Sequence, residues 1–107
     1  MNLNKSIYGL IGLARRAGKI SFGTESCIES IKKKKAKLVI LAKDCSTRTM
    51  RNFEELCKNE NILFYKVGTI LDLSSSIGQV NKAVITINEE NFSKEIKKRI
   101  DGGEFIG

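Results

Sequence analysis

The segment Leu38-Val39-Ile40-Leu41-Ala42 constrains this chain more than any other. It is a continuous apolar run, rich in branched residues and preceded by Lys37. A strand with one wet face alternates apolar and polar residues. One without alternation needs cover on both faces, which is the situation of a central strand between two layers of helices. The run is far too short to span a membrane.

The flanking segments supply that cover. Leu3, Ile7, Leu10, Ala14 and Ala17 recur at three- and four-residue steps, which predicts a helix over 3–17. Gly18 stands where a helix-ending glycine belongs. Lys19 to Phe22 is a short extended piece. A second helix opens at Gly23-Thr24, with Thr24 as its expected cap, and turns Cys27, Ile28 and Ile31 inward before the run Lys32-Lys33-Lys34-Lys35. After the apolar strand, Asp44-Cys45-Ser46-Thr47 offers several capping side chains. A third helix then runs to about Asn59, with Met50, Phe53, Leu56 and Cys57 as its stripe. A strand over 62–67, a short helix over 71–77 and a strand over 83–87 follow. The last helix has Asn88 as its expected cap, Phe92, Ile96 and Ile100 as its stripe, and Gly102-Gly103 as its stop. Helices alternating with strands predict an α/β protein, a three-layer α/β/α sandwich with an approximately four-stranded mixed sheet and helices on both faces. At 107 residues the expectation is a single domain, 1–107.

Charge is unevenly spread. Residues 1–51 carry twelve Lys/Arg against three Asp/Glu, a net +9, whereas residues 52–107 carry seven against nine, a net −2. Such asymmetry points to a polyanionic partner on one side of the molecule. Five lysines fall within Lys32–Lys37. At 3.6 residues per turn they point several ways, so two or three can face one ligand. The run reads either as a solvated helix end meeting the negative end of the helix dipole or as a phosphate-contacting patch. Arg15, Arg16, Lys19, Lys43, Arg48 and Arg51 favour the polyanion. Phe22 and Tyr8 are the only aromatics in the basic half, which argues against a platform for stacking single strands and for recognition of RNA shape. The basic run lacks the bulky apolar face of an interfacial helix, so no membrane partner is expected.

Enzymatic chemistry finds no support. There is no histidine for a nucleophilic triad or a metal site. Cys27, Cys45 and Cys57 are too widely spaced for a C-x-x-C motif and read as free, mostly buried thiols in a reducing cytosol. The stretch from Gly12 to Ile20 resembles a phosphate loop only superficially: five residues separate its glycines, it ends in Ile20, and it follows a helix rather than a strand. Glu54-Glu55 and Glu89-Glu90 are neighbours on helices, so each pair diverges by about 100°. No cofactor, metal or small-molecule substrate is expected. No signal peptide is recognised either, so a cytoplasmic location is expected and the N-x-S matches at Asn4 and Asn91 carry no glycan.

The segment Gly23-Thr24-Glu25-Ser26-Cys27-Ile28-Glu29, followed thirteen residues after that glycine by Ala36-Lys37-Leu38-Val39-Ile40-Leu41-Ala42 and then Asp44, resembles the ribosomal-protein superfamily that binds RNA kink-turns, the L-seven-Ae / L-thirty-e group. Leu56-Cys57 and Leu73-Ser74-Ser75-Ser76-Ile77-Gly78 are similar to it too, and the opening Gly9 to Lys19 resembles its bacterial YlxQ branch. The resemblance covers nearly the whole chain. It implies a non-enzymatic protein binding structured RNA, ribosomal RNA among the candidates. It places the RNA contacts at Gly23, Thr24, Glu25, Ser26 and Glu29 on the second helix and at Gln79, Val80, Asn81 and Lys82 before the last strand, to which the basic surround adds Lys32, Lys33, Lys37, Lys43 and Ser46. The family motif Gly-x-Asn-Glu-x-x-Lys reads Glu25, Ser26 and Glu29 at its last three specified positions, and the glycine that follows leucine in the family is Ser74. Those departures imply altered RNA specificity. They also motivate an alternative, a protein-interaction module on the same fold that has lost RNA recognition.

Overall fold

The computed structural model describes residues 5–102. Leu3 and Gly103, expected in the first helix and the last stop, lie outside the described residues, as does Asn4. Five helices and four strands alternate: α1 (Lys5–Arg16), β1 (Ile20–Phe22), α2 (Thr24–Lys32), β2 (Leu38–Leu41), α3 (Thr47–Asn59), β3 (Phe64–Lys66), α4 (Ile70–Ser76), β4 (Val84–Ile87) and α5 (Glu90–Asp101). The strands form one mixed sheet in the order β1-β4-β2-β3. β4 runs antiparallel to β1 and β2, and β3 runs parallel to β2. No described helix is long and apolar enough to cross a membrane.

β2 is covered on both faces, as its unbroken apolar run requires. All four residues are buried. Leu38 and Ile40 point into a core with Ile7 and Ile11 of α1, Leu73 of α4 and Ile96 of α5. Val39 and Leu41 point into a second core with Cys27 and Ile31 of α2 and Phe53 and Cys57 of α3. Each fully buried aliphatic side chain contributes about 1.5–3 kcal/mol. β4 divides its residues in the same way, with Ile85 and Ile87 to the first core and Val84 to the second.

Several local expectations are corrected. The buried stripe of α1 is Ile7, Ile11 and Ala14, with Leu10 half-buried and Ala17 exposed. Ala17 lies past the last helical turn, where the chain turns away from the core. Ile28 is half-buried rather than core. The residue preceding α2 is Gly23, not Thr24, and no side chain caps that helix. Asn88 does not cap α5; Glu89 does, accepting from the Phe92 N–H at 2.7 Å. Asn88 is drawn instead into hydrogen bonds with Thr86 and Ser21. β3 is three residues long where six were expected.

Four helices end in the same way. After α1, the Lys19 N–H reaches the Ala14 carbonyl at 2.9 Å while the Gly18 N–H reaches Arg15. The same pair of bonds recurs after α2 with Lys34, after α3 with Asn61 and after α4 with Gly78 at the turning position. Each of these four residues has positive φ, which completes the six-to-one and five-to-two pattern that satisfies terminal carbonyls. Glycine adopts that conformation freely, whereas at Lys34 (φ 62°) the Cβ crowds the backbone. Lys34→Gly is therefore expected to stabilise the fold by about 0.5–1 kcal/mol, raising the melting temperature by a few degrees. A lower melting temperature would contradict this account.

Cys27 and Cys57 are buried and all three thiols are free. Burial pushes the Cys27 thiol up to about 12 and Cys57 to about 11. The unfolded chain loses these protons near pH 9 while the native state keeps them. Their contribution is thus fully present below pH 9 and is lost as pH rises from about 9 to 12. Urea unfolding at pH 8, 9.5 and 10.5 is expected to show stability falling with pH, and Cys27→Ala should flatten that fall.

Candidate nucleic-acid interface

The register of the sheet brings chain ends together. Phe22 pairs with Ile85, and Leu41 pairs with Val84 on one side and Lys66 on the other. The carboxyl ends of β1, β2 and β3 therefore share one edge of the sheet with the start of β4. We call this the loop edge; in open α/β sheets, ligands sit beyond the carboxyl ends of the strands. The opposite end, where Ile20 and Leu38 both pair with Ile87, is the lysine edge.

Gly23, Thr24, Glu25 and Ser26 stand at the loop edge, where β1 passes into α2. The Gly23 N–H bonds to the Val84 carbonyl, and its φ of 85° with ψ of 157° is a conformation that only glycine adopts freely. The N-termini of α3, α4 and α5 are capped by Ser46, Thr69 and Glu89. That of α2 has no side-chain cap. Its first-turn N–H groups face outward with the positive end of the helix dipole, an arrangement that favours anions. Glu25 is exposed in that first turn.

The segment from Gln79 to Lys82 reaches the same edge, held by Ser74. This buried hydroxyl accepts from the Lys82 N–H at 2.7 Å and donates to the Lys82 carbonyl at 3.2 Å. The Gln79 N–H bonds to the Ser74 carbonyl at 2.8 Å. One residue thus pins both ends of the loop. Asn81 makes its turn with φ 55°, and Val80 is left 81% exposed.

Lys82 then bridges the two regions. Its ammonium lies 5.9 Å from the centre of the Phe22 ring, and its side chain passes over Gly23, where a Cβ would come within 3.9 Å of it. Arg15 of α1 stacks on the same ring at 5.2 Å. Cation–ring attraction holds each cation while concentrating positive charge beside the open end of α2. Phe22 and Arg15 were missed as a contact pair by sequence reasoning. Six residues separate them, and only the packing of α1 on the first face brings them together. The chemistry of Ser74 was equally hidden, since a buried serine has no sequence signature.

Lys43 and Ser46 follow β2 at the loop edge. The Lys43 N–H bonds to the Gly68 carbonyl. The Ser46 hydroxyl accepts from the Thr49 N–H at 3.1 Å and donates to the Thr49 hydroxyl at 2.9 Å, so it is committed to capping α3. Lys32, Lys33 and Lys37 are elsewhere. α2 runs from the loop edge to the lysine edge, about 13 Å for nine residues. These lysines stand at its far end and at the start of β2. Glu29 lies between, bonded to Lys33 at 2.9 Å, and that ammonium holds its carboxyl below the usual carboxylate range. The candidates thus divide between two edges.

Comparison with known proteins agrees with this architecture. The chain is 30% identical over 94 residues to the RNA-binding protein YlxQ of Bacillus subtilis, covering 88% of this chain and 94% of that one. It is 28% identical over 100 residues to the large ribosomal subunit protein eL8 of Thermoplasma volcanium, covering 92% and 83%. The fold matches a solved structure, the Giardia lamblia 15.5kD RNA binding protein, with a TM-score of 0.80 at 18% identity, covering 95% of this chain and 90% of that one. Residues 5–97 match the model of the ribosomal protein L7Ae/L30e/S12e/Gadd45 family, and the chain belongs to that family.

Proposed function

We propose that this chain is a non-enzymatic RNA-binding protein that holds structured RNA, ribosomal RNA among the candidates, against its loop edge. The observation that carries the reading is the uncapped N-terminus of α2 set beside Arg15 and Lys82 on the Phe22 ring. Phosphate oxygens suit both the free N–H groups and the two cations. Val80, apolar and exposed on a pinned loop, suits contact with an unstacked base. The relatives named above as RNA-binding and ribosomal proteins support the same reading.

The base preference differs from that of the kink-turn binders the chain resembles. Glu25 stands where those proteins carry asparagine. An ionised carboxylate only accepts hydrogen bonds, so it cannot donate to the acceptors of a guanine edge as an amide does. Glu29, replacing a lysine, is an exposed carboxylate tied to Lys33. The same carboxylates are what favour the second reading, a protein-interaction module.

Filter binding of the full chain to a kink-turn RNA and to a plain duplex decides between them. Micromolar or tighter affinity that falls steeply with salt is expected, with less than about tenfold preference for the kink-turn. Absence of binding at low salt overturns the RNA reading in favour of the second. Lys82→Glu should weaken binding to all RNAs by about tenfold and reduce the salt slope by about 1.

Ser74→Ala tests the loop. Loss of the buried hydroxyl leaves the Lys82 N–H without its partner and should cost about 1–2 kcal/mol of stability. Hydrogen exchange at the Lys82 amide is expected to accelerate about tenfold or more, and RNA affinity to fall with it. Unchanged exchange would show that the loop is held by something else.

A further inference from the structure

A polar groove of about 560 Å³ runs between α2 and the edge strand β1. Lys19, Lys35 and Lys37 line it, with Ser21 and Ser30 on the sheet side. Ser26 lines it as well, so the groove starts in the first turns of α2 and reaches the lysine edge.

Beneath it runs a directional chain of hydrogen bonds. Thr86, fully buried, donates to the Asn88 side-chain oxygen at 2.9 Å. The Asn88 amide donates to the Ser21 hydroxyl at 3.0 Å. The Ser21 and Ser30 hydroxyls lie 2.6 Å apart, and either can be the donor. Whichever donates, one hydroxyl hydrogen of the pair is left without an acceptor among the described residues. It is a donor at the foot of three lysines. Glu29 also lines the groove, its carboxylate bonded to Lys33 and attracted by Lys35, and the neighbouring Glu89 caps the α5 N-terminus, where Lys19 also acts on it. None of the five ion pairs within 4 Å among the described residues uses Lys35 or Lys37.

We propose that this groove binds a phosphate group of the RNA backbone, extending the contact surface from the loop edge along α2 to the lysine edge. The inference rests on the RNA-binding reading and adds a second phosphate subsite to it. Lysine ammonium groups and a serine hydroxyl are suitable donors for phosphate oxygens, and they carry no base selectivity.

The test uses the full chain with the kink-turn and duplex RNAs, titrated at several salt concentrations. Each phosphate that a lysine neutralises adds about 0.7–0.9 to the salt slope, so Lys35→Gln with Lys37→Gln, both at exposed positions, should lower it by about 1.5. Lys94→Gln, on α5 outside the groove, should leave the slope unchanged. In parallel, the Ser21 and Ser30 amide resonances are followed while inorganic phosphate is added. They should shift in the wild type and not in the double variant, with melting curves confirming that both are folded. An unchanged slope in the double variant, alongside weakening by Lys82→Glu, overturns the groove and leaves the RNA reading intact. If no RNA binds but phosphate still shifts Ser21 and Ser30, RNA is overturned as the source in favour of a free phosphate. If no RNA binds and phosphate shifts neither serine, both proposals fail.

Discussion

The burial of β2 on both faces is the constraint from which the rest of this molecule follows. Four consecutive apolar residues cannot be satisfied by one helical layer, so α1, α4 and α5 pack on one side and α2 and α3 on the other. Once β2 is central, β4 lies antiparallel beside it and β1 beyond, and the register aligns their ends. The loop edge is a consequence of that alignment. Gly23, Lys43 and Lys82 are far apart in sequence yet arrive at one place because each follows or precedes a strand that ends there.

What makes the loop edge more than a set of loop ends is the way polar groups are held rigid. Ser74 closes the 79–82 segment with bonds in both directions to Lys82. The Phe22 ring holds Arg15 on one helix and Lys82 on one loop. Long cationic side chains ordinarily lose much rotamer entropy on binding a phosphate. Packing two of them on a ring beforehand reduces that loss. The open N-terminus of α2 beside them adds backbone N–H groups that are already fixed.

The layered fold was legible because its main signals are local. The unbroken apolar run of β2, the three- and four-residue steps of α3 and the glycines after α1 and α4 each appear within a dozen residues. The misassigned caps show where that legibility stops. Thr24 and Asn88 both have good capping chemistry, but a neighbour in each case wins for tertiary reasons. Gly23 is held by Val84 across the sheet, and Asn88 is drawn into the hydrogen-bond chain between Thr86 and Ser21. The candidate site was legible in part for the same reason. A motif-like resemblance marked Gly23 and the segment at 79–82, whereas the stacking of Arg15 on Phe22 and the pinning by Ser74 depend on contacts between elements. Lys32 and Lys37 were placed in the same patch as Gly23 from charge alone, since a charge count carries no direction along a helix.

The end of α2 explains how a lysine run acquires a direction. A solvated helix end would fan its lysines around the axis. Here the turn at Lys34 reverses the chain, and the N–H groups of Lys35 and Ala36 both bond to the Ser30 carbonyl, at 2.9 and 3.1 Å. That closure folds Lys35 back over the residue whose hydroxyl ends the hydrogen-bond chain from Thr86. Ala36 is buried immediately after it, and the Lys37 N–H pairs with the Ile87 carbonyl at the start of β2. Lys35 and Lys37 are thereby set on one groove, while Lys33 is occupied with Glu29. The strained backbone at Lys34 is therefore part of how the charge is placed. A glycine there would ease the turn, but it would remove a positive charge from the same end of the helix, so stability and phosphate attraction pull this position in opposite directions.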